Sequence, residues 1–218
     1  MWNIDTNAPL QSILDNPECP PLLRRTLTGP ISWQTRNETS VQKALTSPRA
    51  APQWVAALLA MGVTITVEGD AGPEEMPLTV GAESPSPHIL RIPPLFLPPM
   101  GGDEGGWRWG EARVTRTPAD EPIVAVVAVV EVNGDVVRQA RVVLTGVWPE
   151  PVRLAQATEQ LVGRPLDEDN IRAAAEAVEK EVAPRGDFRG SEEYRRAMAG
   201  VLTRRALGQC SQQEASDE

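Results

Sequence analysis

The sequence predicts an α+β protein in which a small α/β region precedes an antiparallel sheet packed against helices. The first observation is a pair of valine-rich runs joined by Asn133-Gly134-Asp135, because β-branched runs around an Asn-Gly turn are typical of a β-hairpin. The second is the helical spacing of apolar residues beyond residue 152. The third is a stretch crowded with Pro and Gly at 96–106, which favours neither helix nor sheet. Together they predict two small domains.

The C-terminal half is predicted to begin with a strand over 107–116 and the hairpin over 123–144. A first helix is predicted over 152–162. A second helix is predicted after Asp167, because an Asp side chain accepts hydrogen bonds from the first amides of a helix. Its apolar residues recur at helical spacing and predict one buried face, formed by Ile171, Ala174, Ala175 and Val178.

The last helix is predicted to start after Ser191 and to end before Gly208, which stands where a C-terminal glycine belongs. Glu192 and Glu193 in its first turn agree with the direction of the helix dipole. The residues predicted to face the core are Tyr194, Ala197, Met198, Val201 and Leu202. The polar, acidic end of the chain is predicted to be disordered.

The N-terminal half is predicted to hold a short helix over 22–27 and a longer one from Pro52 to Met61, closed by Gly62. Strands are predicted over 63–67, 76–80 and 89–92. The predicted organisation is therefore an N-terminal segment 1–30, an α/β region 31–95, a linker 96–106, a domain 107–208 and a tail 209–218.

Composition excludes several classes of function. The net charge of −9 disfavours nucleic acid as a partner, because phosphate binding needs clustered cations. Glu131 interrupts the longest apolar run, and no secretory leader is recognisable, so we expect a cytoplasmic protein without membrane contact. Cys19 and Cys210 are too few for a zinc or iron–sulfur site, and His88 lies alone in a predicted loop.

Three acidic clusters are candidates for acid–base chemistry: Glu74-Glu75, Asp103-Glu104 and Asp167-Glu168-Asp169. They fall in predicted turns or at a predicted helix start, where carboxylates are usually solvated or cap a helix. We therefore assign no catalytic, cofactor-binding or metal-binding residue from the sequence.

The C-terminal half carries a family resemblance in three motifs. The sequence reads Gly-Val-Trp-Pro-Glu-Pro-Val-Arg at 146–153, Gly-Arg-Pro-Leu at 163–166, and Arg-Gly-Ser-Glu-Glu-Tyr-Arg-Arg followed by Val-Leu-Thr-Arg-Arg-Ala-Leu within 189–207. In this order they resemble the C-terminal domain of the flavoprotein (medium) subunit of molybdenum hydroxylases, the carbon monoxide dehydrogenase and xanthine dehydrogenase group. The resemblance implies an FAD-binding electron-transfer subunit that works with molybdenum and iron–sulfur subunits.

The N-terminal half resembles the later part of the FAD-binding domain of the same subunit. Gln34-Thr35-Arg36-Asn37, Ser47-Pro48-Arg49-Ala50-Ala51 and Ile89-Leu90-Arg91-Ile92-Pro93-Pro94-Leu95 find counterparts in that order. In the family, two glycine-rich loops hold FAD. Glycine is needed there because backbone amides must approach the pyrophosphate closely.

The sequence departs from the family at both loops. The second loop, Thr-x-Gly-Gly-Asn in the family, falls on Ser40-Val41-Gln42-Lys43-Ala44, so both glycines and the asparagine are replaced. The first loop belongs to a subdomain that would precede Gln34, where this sequence has thirty-three residues and no Gly-Gly pair. The family also has an acidic residue shortly after a Ser-Pro or Asp-Pro pair, and its position falls on about Ala51 in this sequence. Lys43 could pair with a phosphate, but a single exposed cation contributes little. We therefore expect FAD binding to be lost.

Three functions remain open from the sequence. The first is a non-catalytic, flavin-subunit-like protein that acts through protein contacts, as a homo-oligomer or as an accessory to molybdenum and iron–sulfur subunits. The 6 tryptophans, against 3 other aromatic residues, fit interface anchors and fit core packing equally well. The second is a true FAD-binding electron-transfer subunit, and the third is an unrelated enzyme that reuses the vacated cleft.

Overall fold

A computed structural model describes residues 2–29, 31–69, 72–80, 87–93, 106–117 and 120–213 of the protein. The chain forms two compact units, an N-terminal unit of residues 1–102 and a C-terminal unit of residues 103–218. Except for Gly106, the predicted linker 96–106 lies outside the described residues. In the part of the chain that is described, no helix has the length and apolar character to cross a membrane.

The N-terminal unit contains a four-stranded antiparallel sheet and five α-helices among its described residues. The strands are β1 (Trp2–Asp5), β2 (Thr64–Gly69), β3 (Gly72–Pro77) and β4 (Ile89–Ile92). Their order in the sheet is β1-β4-β2-β3. The helices are α1 (Leu10–Asp15), α2 (Pro21–Thr28), α3 (Trp33–Glu38), α4 (Val41–Thr46) and α5 (Pro52–Met61), with a 3-10 turn at Pro48–Ala50.

Helix α5 confirms the predicted helix at both ends. Pro52 is in its first turn, and Gly62 follows it in the left-handed region with φ 65°, where its amide donates to the carbonyl groups of Leu58 and Leu59. Glycine adopts this conformation without a steric cost. The helix is buried on almost every side, with Trp54 fully enclosed.

Two strands of this sheet differ from the prediction. Strand β3 begins at Gly72, before the predicted start at residue 76, and ends at Pro77 instead of continuing to residue 80. It lies at the edge of the sheet, where proline is tolerated because one side of the strand needs no partner. Strand β1 was not predicted at all, because its four residues are stabilised by pairing with the distant β4.

The C-terminal unit contains a second antiparallel sheet, of four strands in the order β5-β6-β7-β8. The strands are β5 (Gly106–Val114), β6 (Val124–Asn133), β7 (Val136–Thr145) and β8 (Val152–Leu154). Helices α6 (Glu168–Glu181) and α7 (Glu192–Gln212) pack with the sheet around one apolar core. The predicted α+β architecture is confirmed.

The hairpin β6–β7 forms as predicted, with Gly134 and Asp135 as its two-residue turn. Gly134 has φ 58°, which glycine adopts readily at the first central position of a tight hairpin turn. Strand β6 has Val126 and Val130 on its core-facing side and Val127 and Val129 on the other, and all four are almost fully buried. Burial on both sides explains why this strand reads as a continuous apolar run.

The helix predicted over 152–162 is wrong. Val152–Leu154 forms β8, which pairs with the end of β7, and a 3-10 helix follows at Gln156–Leu161. The Glu181 carboxylate accepts hydrogen bonds from the amides of Gln156 (3.0 Å) and Ala157 (2.7 Å) and so caps the start of that helix. Pairing with β7 and capping by Glu181 decide the structure of this segment, and the periodicity of its own residues does not reveal them.

Helices α6 and α7 begin at the predicted caps, since Asp167 accepts from the amide of Asn170 and Ser191 from that of Tyr194. The predicted face of α6 is confirmed as buried. The predicted face of α7 is confirmed at Leu202, which is buried, and at Met198, which is partly buried against the core. It is wrong at Tyr194 and Val201, which are 39% and 40% exposed. The buried residues of α7 are Arg195, Ala199, Gly200, Leu202, Thr203, Ala206, Leu207 and Cys210. The helix also continues past Gly208 to Gln212, into the predicted tail.

Candidate functional site

Residues 40–44, which the sequence resemblance leads us to expect at the position of the family's second flavin loop, include the start of helix α4. Ser40 is the N-cap, and its Oγ accepts a hydrogen bond from the amide of Lys43 at 3.2 Å. A serine at this position favours a helix, because it satisfies an amide that would otherwise lack a partner. The segment is therefore a capped helical turn.

The other N-terminal amides of α4 also donate within the protein. The amide of Val41 donates to the carbonyl of Ala8 at 3.0 Å, and that of Gln42 donates to the carbonyl of Thr6 at 2.7 Å. Both acceptors follow β1 directly. A phosphate group bound here would have to displace these carbonyl oxygens, because the same amides would be its hydrogen-bond donors.

Thr6 is itself fixed in place. Its Oγ1 donates to the carbonyl of Pro87 at 2.6 Å, and its amide donates to the carbonyl of His88 at 3.2 Å. The side chain is almost completely buried. The chain after β1 is thus held between the start of β4 and the start of α4. This position stabilises the hydrogen bonds that the amides of Val41 and Gln42 donate to it.

The side chains of the segment complete this arrangement. Val41 and Ala44 are fully buried, whereas Lys43 is exposed. Gln42 and Lys43, the residues that we expect at the positions of the family's two glycines, each carry a Cβ, which would oppose a close approach of a ligand to the backbone. The residues of this segment do not fit a pyrophosphate group.

The preceding segment, 34–37, is engaged in structural hydrogen bonds. The Arg36 guanidinium donates to Gln11 Oε1 at 2.9 Å, to the carbonyl of Leu27 at 3.2 Å and to the carbonyl of Ile31. Asn37 Nδ2 donates to the carbonyl of Trp33 at 2.8 Å. Arg36 therefore joins α1, the end of α2 and α3.

Of the three acidic clusters, the two that the structure describes do not form an acid–base pair. Glu74 and Glu75 are consecutive residues of β3 and point to opposite sides of the sheet. Glu75 accepts from Thr64 Oγ1 at 2.6 Å and forms an ion pair with Arg91. The cluster at residues 167–169 consists of the cap of α6 and two surface ion pairs with Arg204 and Arg172. Asp103-Glu104 lies outside the described residues.

His88, Cys19 and Cys210 are the other single residues considered in the sequence, and the structure places them apart from any catalytic grouping among the described residues. His88 is exposed, and its backbone bridges β1 and β2. Cys19 and Cys210 are both buried and unpaired, and burial raises the pKa of the Cys19 thiol to about 11 and that of Cys210 to about 12. Within the described ranges, no three His, Cys, Asp or Glu side chains are grouped so that they could hold a metal ion.

Sequence reasoning missed a buried arginine centre in the C-terminal unit. Arg195 is only 5% exposed; its Nη1 donates to the carbonyls of Ile123 (2.7 Å) and Gly146 (2.8 Å) and its Nη2 to Asp187 Oδ1 (2.7 Å). The hydrogen bond from Arg195 lowers the pKa of Asp187 to about 2. The centre, defined as Arg195, Asp187 and these two carbonyls, joins the start of β6 to the end of β7 and the turn before α7. The available sequence signal was that Arg195, Ala199 and Leu202 recur at helical spacing, which places them on one face of α7.

The six tryptophans divide between core and surface, and Trp2 in β1 is half-buried. Trp54 and Trp148 are buried, whereas Trp33 is 68% exposed. Trp107 and Trp109 are half-buried on one face of β5, as their alternation predicts. Phe188, in the turn before α7, is 87% exposed. Among the described residues, Trp33 and Phe188 are therefore the aromatic side chains with the largest exposed fractions, and Tyr194 is exposed to a smaller extent.

Comparison with known proteins places the chain beside the flavoproteins of molybdenum enzymes. Residues 112–210 match the family described as CO dehydrogenase flavoprotein C-terminal domain. The carbon monoxide dehydrogenase medium chain of Hydrogenophaga pseudoflava is 30% identical over 102 residues, which are 47% of this chain and 36% of that protein. The corresponding medium chain of Afipia carboxidovorans is 33% identical over 118 residues, 54% of this chain and 38% of that protein. These matches span little more than a third of either relative.

Solved structures extend the likeness to the N-terminal unit. A carbon monoxide dehydrogenase from Hydrogenophaga pseudoflava superposes with a TM-score of 0.78 at 23% identity, covering 96% of this chain and 74% of that one. Quinoline 2-oxidoreductase from Pseudomonas putida 86 gives a TM-score of 0.76 at 20% identity, covering 97% and 75%. At these identities the superpositions establish a common fold. The chain is homologous to the medium flavoprotein subunits of molybdenum hydroxylases, and its residues 112–210 belong to the CO dehydrogenase flavoprotein C-terminal domain family.

Proposed function

We propose that this protein is a medium-subunit-like member of the molybdenum hydroxylase group that does not bind FAD and acts through protein contacts. The observation that carries the proposal is the start of α4. Its three N-terminal amides donate to Ala8, Thr6 and Ser40, in the segment where the family places a flavin loop.

The energetic argument rests on exchange of hydrogen bonds. A phosphate that approached α4 would break the two bonds to the carbonyls of Thr6 and Ala8, and each buried acceptor left without a donor costs about 1–3 kcal/mol. The Cβ atoms at Gln42 and Lys43 oppose the same approach sterically. The Lys43 ammonium is exposed, so its attraction for a phosphate contributes about 0–1 kcal/mol. The balance opposes binding.

The protein-contact role is supported by two exposed aromatic side chains and by the relatives. Trp33 and Phe188 are of the residue types that anchor interfaces, and Arg189 stacks beside Phe188 with its guanidinium carbon 5.9 Å from the ring centre. The relatives are named as medium chains or medium subunits of their enzymes. We propose a molybdenum- or iron–sulfur-containing subunit, or a second copy of this chain, as the partner.

The alternative function is an FAD-binding electron-transfer subunit of a molybdenum-containing dehydrogenase. The homology to flavoprotein subunits favours it. It requires that FAD be held by groups other than the α4 amides, or that the chain after β1 move away from α4.

A fluorescence titration with FAD separates the two functions. The full chain is titrated while flavin fluorescence and polarisation are followed, with a medium chain that retains its glycine loop as the positive control. We expect neither quenching nor an increase in polarisation at concentrations that saturate the control. Saturable binding at one site per chain would contradict the proposal and support the electron-transfer function.

The contact role is tested in the same preparation. The variants Trp33→Ser and Phe188→Ser remove one exposed aromatic each, and tagged wild-type and variant chains are compared for recovery of partners from their own lysate. We expect a partner that wild type retains and at least one variant loses. A wild-type protein that is a monomer and retains no partner would exclude the contact role.

A further inference from the structure

Two glutamines at the end of α7, Gln209 in the helix and Gln213 directly after it, bind the outer edge of β5. Gln213 Oε1 accepts from the amide of Trp109 at 3.1 Å, and its Nε2 donates to the carbonyl of the same residue at 2.9 Å. Gln209 repeats this arrangement on Glu111, at 3.0 Å and 2.9 Å. The two side-chain amides therefore provide the four hydrogen bonds that a neighbouring strand would provide.

The spacing of the two elements makes this match possible. Residues 209 and 213 are one turn apart on α7, about 6 Å along a helix. Residues 109 and 111 are two apart on β5, about 7 Å along a strand, and their amides and carbonyls point to the same edge. A side-chain amide has the donor and acceptor of a peptide group, so a pair of glutamines at this spacing imitates a short strand.

Helix α7 is held close to β5 by its small residues. A Cβ at Gly110 would lie 2.0 Å from the carbonyl oxygen of Ala206, so only glycine allows this approach. Ala206 and Cys210 are fully buried in the core. Gln213, in contrast, is exposed and lies just beyond the last helical residue. Gln209 therefore lies in the half-buried part of the helix, and Gln213 lies at its exposed end.

The covered atoms are those that β5 would use to pair with a second β5. Consider two antiparallel copies related by a two-fold axis at Gly110. Trp109 of one copy then lies opposite Glu111 of the other, and these residues exchange both hydrogen bonds through the same amides and carbonyls. Arg113 lies opposite Trp107 on the same face, a favourable cation–aromatic pair. Glycine at the centre suits the short distance between non-bonded strand residues.

We propose that Gln209 and Gln213 form a seal over a self-association edge, and that a second copy of this chain binds β5 when the last turn of α7 moves away. The occupant is a second copy because the edge is self-complementary about Gly110. An uncovered strand edge of nine residues would otherwise recruit other chains. In this structure the seal covers the amides and carbonyls of Trp109 and Glu111, and it does not involve residues 40–44.

The variant Gln209→Ala/Gln213→Ala tests the seal in the full-length protein. Sedimentation and light scattering across a wide concentration range give the mass, and hydrogen exchange reports the amides of Trp109 and Glu111. We expect the double variant to self-associate at least tenfold more tightly than wild type, to twice the wild-type mass. Exchange at the two amides is expected to slow as concentration rises. Gln212→Ala, one exposed glutamine on the same turn, is the matched control and is expected to behave as wild type.

Two results would overturn the proposal. In one, both amides exchange faster in the double variant while its mass stays that of wild type at every concentration. In the other, exchange at both amides is unchanged, which would mean that the glutamines do not cover the edge. Should the double variant lose its circular dichroism signal, Gln213→Ala alone carries the test with the same readouts, because it removes only the two hydrogen bonds at Trp109.

Discussion

Replacing Arg195 with methionine tests the buried arginine centre. Methionine keeps the length and most of the apolar volume of the side chain, so the change removes hydrogen bonds without a large cavity. The carbonyls of Ile123 and Gly146 lose the Nη1 donor, and Asp187 loses its ion-pair partner.

The magnitude follows from which partners stay buried. The carbonyl of Ile123, in a buried hydrogen bond, and that of Gly146, in a half-buried one, both lose their donor within the protein. An unsatisfied buried acceptor costs about 1–3 kcal/mol. Asp187 is at the surface and regains water, so its contribution is about 0–1 kcal/mol. We therefore expect the free energy of unfolding of the C-terminal unit to fall by about 3 kcal/mol, a large share of the roughly 5–15 kcal/mol that stabilises a domain.

Urea unfolding followed by circular dichroism measures this loss. The control is Arg172→Met, which removes an exposed ion pair with Asp169 on α6, and we expect it to cost less than about 0.5 kcal/mol. If Arg195→Met stays within about 1 kcal/mol of wild type, the arginine centre does not stabilise the fold in the way described.

Three further predictions concern pH, thiols and the α4 segment. The pKa of Asp187 in the folded protein is lowered to about 2 from an ordinary 3.8, so its stabilising contribution is present above about pH 4 and is lost as the pH falls towards 2. In Asp187→Asn, the free energy of unfolding should therefore fall less steeply between about pH 4 and pH 2 than in wild type. An unchanged dependence on pH in this range would contradict the ion pair. Cys19 and Cys210 should resist a thiol reagent at pH 8 and both react in denaturant, whereas a rapid native reaction would contradict their burial. Gln42→Gly/Lys43→Gly should lower the free energy of unfolding by about 1–2 kcal/mol without FAD binding, and flavin uptake by this variant would show that the side chains alone block the site.

Local signals allowed much of the fold to be predicted from the sequence. The hairpin β6–β7, helix α5 with Gly62, and the caps Asp167 and Ser191 all formed at the predicted positions. Each depends on residues close in sequence: a turn that needs positive φ, a left-handed glycine, or a side chain that reaches an amide three residues on.

The errors fall where contacts with another element decide the outcome. Val152–Leu154 became a strand through pairing with β7, and β1 forms through pairing with β4. The buried face of α7 was misplaced by one position because it begins with Arg195, a charged residue that sequence patterns assign to the surface. Its burial is explained by carbonyl acceptors contributed by residues far away in the chain.

The candidate cofactor segment was predictable only in part. The sequence alone shows that residues 42 and 43 are glutamine and lysine, where the family resemblance leads us to expect glycine. The occupation of the α4 amides by Thr6 and Ala8 could not, because it depends on where β1 ends beside the helix. The strand imitation by Gln209 and Gln213 was hidden for the same reason, since it becomes visible only when α7 lies along β5.

The absorbance spectrum of the freshly purified full chain, before and after incubation with excess FAD and desalting, measures whether the protein holds FAD. We predict a spectrum without flavin bands in both states, because the amides that would hold the pyrophosphate already donate to Thr6, Ala8 and Ser40. Flavin bands that survive desalting at one equivalent per chain would contradict the account and would make this protein an FAD-binding electron-transfer subunit.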